Sequence, residues 1–114
     1  MASQTFFAQV RTQPGIATLD MSGEINGSAE LPLNAAYNQA EESNPARIVL
    51  NFGEVQYINS TGIALIVGLL ARARKAHREL VVFGLSDHYT EIFQVTRLAD
   101  FMTIYPDEAS ALIK

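Results

Sequence analysis

Two hydroxyls stand side by side in Asn59-Ser60-Thr61-Gly62, between a stretch that reads as a buried strand and one that reads as a long helix. The first turn of a helix presents N–H groups without intrahelical partners and a partial positive charge, so a phosphate carried there is well placed. Gly62 adds no side chain to obstruct approach. A plainer reading is that Asn59 or Ser60 serves only to cap the helix, which Asn and Ser both do well.

A serine can also be a nucleophile, which requires a base and an orienting acid in contact with it. Ser60, His77 or His88, and Asp87 or Asp100 are present, but nothing in their spacing makes them converge. His77 falls roughly four to five helical turns beyond Ser60 at 3.6 residues per turn, too far along one rod to act as its base. Two histidines with no cysteine make no metal-ligand cluster. Glu41-Glu42 and Asp107-Glu108 are adjacent acids whose side chains diverge on a helix, so they read as a solvated face and a helix start. No glycine-rich dinucleotide or phosphate-loop pattern occurs. The expectation is therefore no catalytic residue, no metal and no cofactor.

The elements that position these residues follow from apolar periodicity. Phe6, Ala8 and Val10 alternate with Phe7 and Gln9, the period of a half-buried strand. Gln13-Pro14-Gly15 is a turn, and Ile16 to Met21 returns as an antiparallel partner, broken by Gly23 and Gly27. Leu33, Ala36, Tyr37 and Ala40 mark one face of a helix over about 28–42, with Pro32 in its first turn. After Asn44-Pro45, the run Ile48-Val49-Leu50 reads as a strand buried on both faces. Residues 53–59 read as a loop and 60–78 as a long helix. Leu80 to Phe83 is another buried strand, ended by Gly84. Ser86 or Asp87 caps a helix to about Thr96. Phe101 to Tyr105 reads as a last strand, and Pro106-Asp107 opens a final helix. The order ββαβαβαβα predicts an α/β domain over residues 1–114, with a mixed, mostly parallel five-stranded sheet and four helices.

On the 60–78 helix, Ile63, Ile66, Val67 and Leu70 share a face at about 100° per residue, which predicts the core face. Leu65, Gly68, Leu69 and Arg72 fall on the other side. An apolar patch beside a serine, with Gly68 allowing close approach, reads as a docking surface. Arg72, Arg74, Lys75 and Arg78 also complement the helix C-terminus.

Apolar residues make up 48% of the 114 residues and charged residues 18%, the balance of a globular chain rather than a disordered one. Twelve carboxylates against eight Lys and Arg leave a net charge of -4, which argues against a nucleic-acid partner. The absence of cysteine fits a reducing compartment. Met1 to Val10 lacks the basic-then-apolar pattern of a secretion signal. The longest apolar run, Ile63 to Ala71, falls short of the roughly 20 residues that span a membrane. A cytoplasmic protein with no membrane contact is the expectation. Composition says nothing about oligomeric state.

Taken together, Asn59-Ser60-Thr61-Gly62-Ile63-Ala64, Gly23-Glu24-Ile25-Asn26 and the element order resemble STAS-domain anti-sigma-factor antagonists over essentially the whole chain. The two motifs match the family's Asp-Ser-Ser/Thr-Gly-Leu/Ile-Gly and Gly-Glu/Asp-Leu/Ile-Asp patterns. The resemblance implies that Ser60, or less favourably Thr61, is phosphorylated by an anti-sigma factor that is also a serine kinase. It implies that Asn26, Asn59 and Gly62 surround the phosphosite, and that a serine phosphatase reverses the modification. It implies further that the unphosphorylated form binds the anti-sigma factor through Glu24, Ile25, Thr61, Leu65, Gly68, Leu69 and Arg72 and so frees a sigma factor. Asn26 and Asn59 replace the family's two acids, keeping capping ability without charge. That replacement leaves an alternative of another class: a STAS scaffold or regulatory subunit of a signalling or transport assembly unconnected with sigma factors.

Overall fold

A computed structural model describes residues 5–113. Residues 1–4 and 114 lie outside the described range, and with them the start of the segment read above as lacking a secretion signal. The strands are β1 (Phe7–Gln13), β2 (Ile16–Ile25), β3 (Arg47–Ile58), β4 (Glu79–Phe83) and β5 (Thr103–Tyr105). The helices are α1 (Glu30–Glu41), α2 (Ser60–Lys75), α3 (Asp87–Val95) and α4 (Glu108–Leu112), with 3-10 turns at Gly27–Ala29 and Leu98–Asp100. The sheet runs β1-β2-β3-β4-β5 in space. β1 is antiparallel to β2, and the remaining pairs are parallel.

Because each parallel strand lies beside the last, right-handed crossovers put α1, α2 and α3 on one face of the sheet. Alternation along the strands shows how that face is filled. Ile48, Leu50 and Phe52 of β3 and Leu80 and Val82 of β4 join Leu33, Tyr37, Ile66, Leu69 and Phe93 in one core. The intervening Val49, Val81 and Phe83 form a smaller core with Ile16 and Ala111 of α4. Two covered faces are why these strands read as unbroken apolar runs. Phe6, Ala8 and Val10 face the larger core while Phe7 is exposed, and α1 buries Leu33, Ala36, Tyr37 and Ala40. Both patterns follow the sequence reading.

Three sequence expectations need correction. Residues 53–58 are not a loop, because β3 continues to Ile58 and pairs with a β2 that continues past Gly23 to Ile25. The two strands absorb their glycines through register shifts between Asp20 and Ser22 and between Gly23 and Glu24, the local kinks that bulges supply. The last strand, expected from Phe101 to Tyr105, begins only at Thr103, because Phe101 closes the 3-10 turn of residues 98–100 by donating its N–H to the Leu98 carbonyl. The face assignment on α2 also changes. Its buried residues are Gly62, Ile66, Leu69, Leu70 and Ala73, a stripe rotated by roughly 60° from the expected one at 3.6 residues per turn. Leu69 is 1% exposed and Val67 43% exposed, the reverse of the sequence reading. Small Gly62 and Ala73 complete the buried stripe and let the helix sit close to the sheet.

A polar seam ties the outer face together. Arg11 donates from Nη2 to Asp20 Oδ1 at 2.9 Å and to Glu108 Oε1 at 3.0 Å, joining β1, β2 and α4. The Asn51 amide donates to Asp20 Oδ1 at 2.7 Å. The Arg11 hydrogen bond holds the Asp20 carboxyl below the usual aspartate range, with partial burial opposing and the Asn51 bond adding to the effect.

Leu69→Ala and Ile66→Ala should each cost about 2–5 kcal/mol in urea unfolding, as cavity-forming changes do. Val67→Ala should stay within about 0.5 kcal/mol. Asp20 carries a depressed folded pKa, so its contribution is present above the unfolded aspartate value and is lost as pH falls through the folded one. Unfolding curves across the acid range should show Asp20→Asn less stable than wild type at neutral pH, with the difference closing as the pH drops. A constant difference would remove Asp20 as the titrating group.

Candidate functional site

The Ser60 segment lies where β2 and β3 end together. Ile25 pairs with Ile58, and the Asn59 N–H donates to the Ile25 carbonyl at 3.2 Å, extending the ladder by one residue. Both chains then turn at an asparagine. Asn26 accepts from Ser28 N–H at 3.0 Å and from the Ser28 hydroxyl at 2.6 Å, capping the 3-10 turn. Asn59 accepts from Gly62 N–H at 2.8 Å and caps α2. The plainer reading of Asn59 as a cap therefore holds. Since Asn59 does the capping, Ser60 and Thr61 occupy the first two helical positions as exposed residues.

Gly62 is the tightest point. A Cβ built there would lie 2.0 Å from the Ile25 carbonyl oxygen and 2.9 Å from Ile58 Cγ2. The first turn of α2 is thus pressed on the ends of both strands, and Gly62 matters for close packing rather than for open access. Gly27, in the neighbouring turn, faces Thr61, whose Cγ2 is 3.8 Å from the equivalent position. From the other flank, the Tyr89 hydroxyl of α3 accepts from Ile58 N–H at 2.8 Å. Its ring carries the site's connection to α3.

The expected contact residues divide. Thr61 and Gly68 are exposed, and Glu24 and Leu65 are partly buried. A Cβ on Gly68 would meet nothing within 4 Å, so it faces open space. Ile25 and Leu69 are buried; Ile25 therefore offers the site its carbonyl and not its side chain. Arg72 clamps α2 to α1. It donates to Asn38 Oδ1 at 2.7 Å and Glu41 Oε1 at 2.9 Å, and its guanidinium lies 4.4 Å from the Tyr37 ring centre. Burial pushes the Tyr37 hydroxyl above its usual pKa, with the Glu41 charge adding to the effect. His77 is an exposed residue beyond the C-terminus of α2, a helix of 16 residues, so the rod separates it from Ser60. Among the described residues, no group of His, Asp and Glu is placed to hold a metal ion.

Sequence reasoning missed an open apolar groove between α2 and the end of α3. Val67, Leu70, Leu98 and Phe101 line it, with the Arg74 guanidinium 5.2 Å from the Phe101 ring centre. The available signal was Val67, which sits on the flank of the true buried stripe.

A mixed sheet with an exposed, side-chain-capped helix start at the ends of two parallel strands defines a small α/β domain. The chain belongs to the STAS domain family, which matches residues 7–111. It is 31% identical over 84 residues to the anti-sigma-B factor antagonist of Listeria monocytogenes, covering 74% of each chain. It is similar in fold to an anti-sigma factor antagonist from Mycobacterium paratuberculosis, with a TM-score of 0.81, 19% identity, and 95% and 92% of the two chains covered. It is similar also to the Bacillus cell fate determinant SpoIIAA in its phosphorylated form, with a TM-score of 0.69, 18% identity, and 90% and 95% covered.

The two glycines of α2 should respond oppositely to alanine. Gly62→Ala should destabilise by about 3 kcal/mol or more, because backbone atoms must separate. Gly68→Ala should stabilise by up to about 1 kcal/mol, since a solvent-facing helical glycine lacks only alanine's propensity. Thermal and urea unfolding of both variants measure the contrast, and comparable effects of one sign would contradict the close approach at Gly62.

Proposed function

We infer that this chain is an anti-sigma-factor antagonist that works by binding inside the cell rather than by catalysis. In its unphosphorylated form it binds an anti-sigma factor with serine kinase activity, and that binding releases a sigma factor. Phosphorylation of Ser60 ends the binding, and a serine phosphatase restores it. The observation that carries this reading is the division of labour at the start of α2. Asn59 caps the helix, which leaves the exposed Ser60 beside it available for modification. Membership of the STAS family and similarity to a relative named anti-sigma-B factor antagonist support the partner.

A phosphate on Ser60 adds about 1.5 to 2 negative charges at neutral pH. They meet the favourable end of the α2 dipole and nearby N–H groups, so the fold tolerates them. A partner seated on Thr61, Leu65 and Gly68 has to desolvate the same dianion, and binding is lost. The docking surface in this reading includes the flank of Leu65 but not the side chain of Leu69.

Incubation with the cognate anti-sigma kinase and ATP should label wild type and Thr61→Ala but not Ser60→Ala. Ser60→Asp should melt within a few degrees of wild type and lose partner affinity. Transfer of phosphate to Ser60→Ala as readily as to wild type would sink the assignment of the acceptor. Asn59→Asp tests whether a carboxylate at the cap alters the transfer rate. No transfer to either wild type or Asn59→Asp would leave a constitutive binding module.

A further inference from the structure

Asn26 is followed by glycine, and no other asparagine of the chain is. We propose that Asn26 is a site of spontaneous deamidation, which installs a carboxylate beside the start of α2. In this conversion the Gly27 amide nitrogen attacks Asn26 Cγ. A Cγ–N bond forms, the Cγ–Nδ2 bond breaks, and the Gly27 proton passes through solvent to the side-chain nitrogen, which leaves as ammonia. Water then adds to the resulting cyclic imide. Opening at Cγ gives aspartate, and opening at the backbone carbonyl gives isoaspartate. The net change consumes one water, releases one ammonia and requires no redox partner.

Several local features favour this position. Gly27 has no Cβ to hinder its nitrogen as a nucleophile, and it is exposed. It is the first residue of the 3-10 turn, ahead of the turn's own bond from Ala29 N–H to the Asn26 carbonyl at 2.9 Å. The hydrogen bond from Ser28 N–H folds the Asn26 carboxamide back over the Gly27–Ser28 backbone. The two Ser28 donors at 3.0 and 2.6 Å draw electron density onto Oδ1. They leave Cγ more electrophilic and stand ready for the charge that grows on that oxygen during attack. A three-residue turn also opens locally more readily than a long element, which frees the rotation that ring closure needs.

The other asparagines lack this combination. Asn34 and Asn38 lie within α1, and Asn51 lies within β3 with its amide engaged by Asp20 and Gly53. Asn44 precedes Pro45, which has no N–H to attack. Asn59 precedes Ser60, the first residue of a 16-residue helix. Its following nitrogen is flanked by a side chain and held by that helix.

An aspartate at 26 caps as well as asparagine does. The Ile25–Ile58 pairing sets position 26 beside Asn59, so the new charge sits next to the α2 N-terminus. It competes there with any second negative charge on Ser60. That consequence rests on the reading of Ser60 above, whereas the conversion itself does not.

The test holds the purified full chain at mildly alkaline pH and physiological temperature and follows each asparagine by peptide mapping. The mass gain of replacing NH2 by OH should accumulate at Asn26 several-fold faster than at Asn59. Gly27→Ala should slow it several-fold while keeping the fold, because the added methyl meets only Thr61 Cγ2 at 3.8 Å. Conversion led by another asparagine, or an unchanged rate in a folded Gly27→Ala, overturns the site. For the consequence, Asn26→Asp and Ser60→Asp are melted singly and together. A double variant less stable than the sum of the singles supports the coupling, and additivity refutes it without touching the conversion.

Discussion

Gly62 sits so close to the Ile25 carbonyl that no other residue fits without moving the backbone. That contact locks the first turn of α2 onto the ends of β2 and β3, where the two strands finish in register. The position of Ser60 and Thr61, the line of α2 across the sheet and the side it presents outward all depend on it. With the start of the helix seated, Ile66, Leu69, Leu70 and Ala73 fall on the sheet. Val67 and Arg72 then fall on opposite flanks, one toward the groove beside Phe101 and the other toward α1. The outward face of α2 is set by a packing contact at its first turn.

At this terminus the cap and the exposed hydroxyl are separate residues. A cap must accept a hydrogen bond within its own turn, and a hydroxyl used in that way is less available for other chemistry. Asn59 takes the structural role and leaves Ser60 outside it. The neighbouring turn repeats the arrangement with Asn26 and Ser28, although there the serine hydroxyl is bound to the cap. Two similar turns at adjacent strand ends thus treat their serines differently.

Much of this was legible in the residues. Strict alternation exposed β1, continuous apolar runs exposed the buried parts of β3 and β4, and the caps Asn59, Ser86 and Asp107 were each visible at a helix start. What was not legible depends on neighbours distant in sequence. Gly23 and Gly53 look like strand breakers, yet β2 and β3 resume their pairing past both, Gly23 taking a positive φ of 85° and the register shifting beside each. Gly84, with a φ of +83°, has to be glycine because a Cβ there would come within 2.6 Å of the Gly53 backbone nitrogen. The rotation of α2 was misread because leucine and isoleucine dominate any periodicity argument, while Gly62 and Ala73 carry little apolar weight. They are buried because they are small. Arg72 read as a surface cation, and only the packing of α1 beside α2 reveals it stacked on Tyr37.

The sheet's spatial order is also its order along the chain. During synthesis, each strand that emerges finds its neighbour already made, and no gap waits for a later segment to be inserted. β1 and β2 form a hairpin, and each crossover then adds one strand at the growing edge and one helix over the same face. Such assembly keeps loop-closure costs low and limits the time that an unpaired edge is open to other chains.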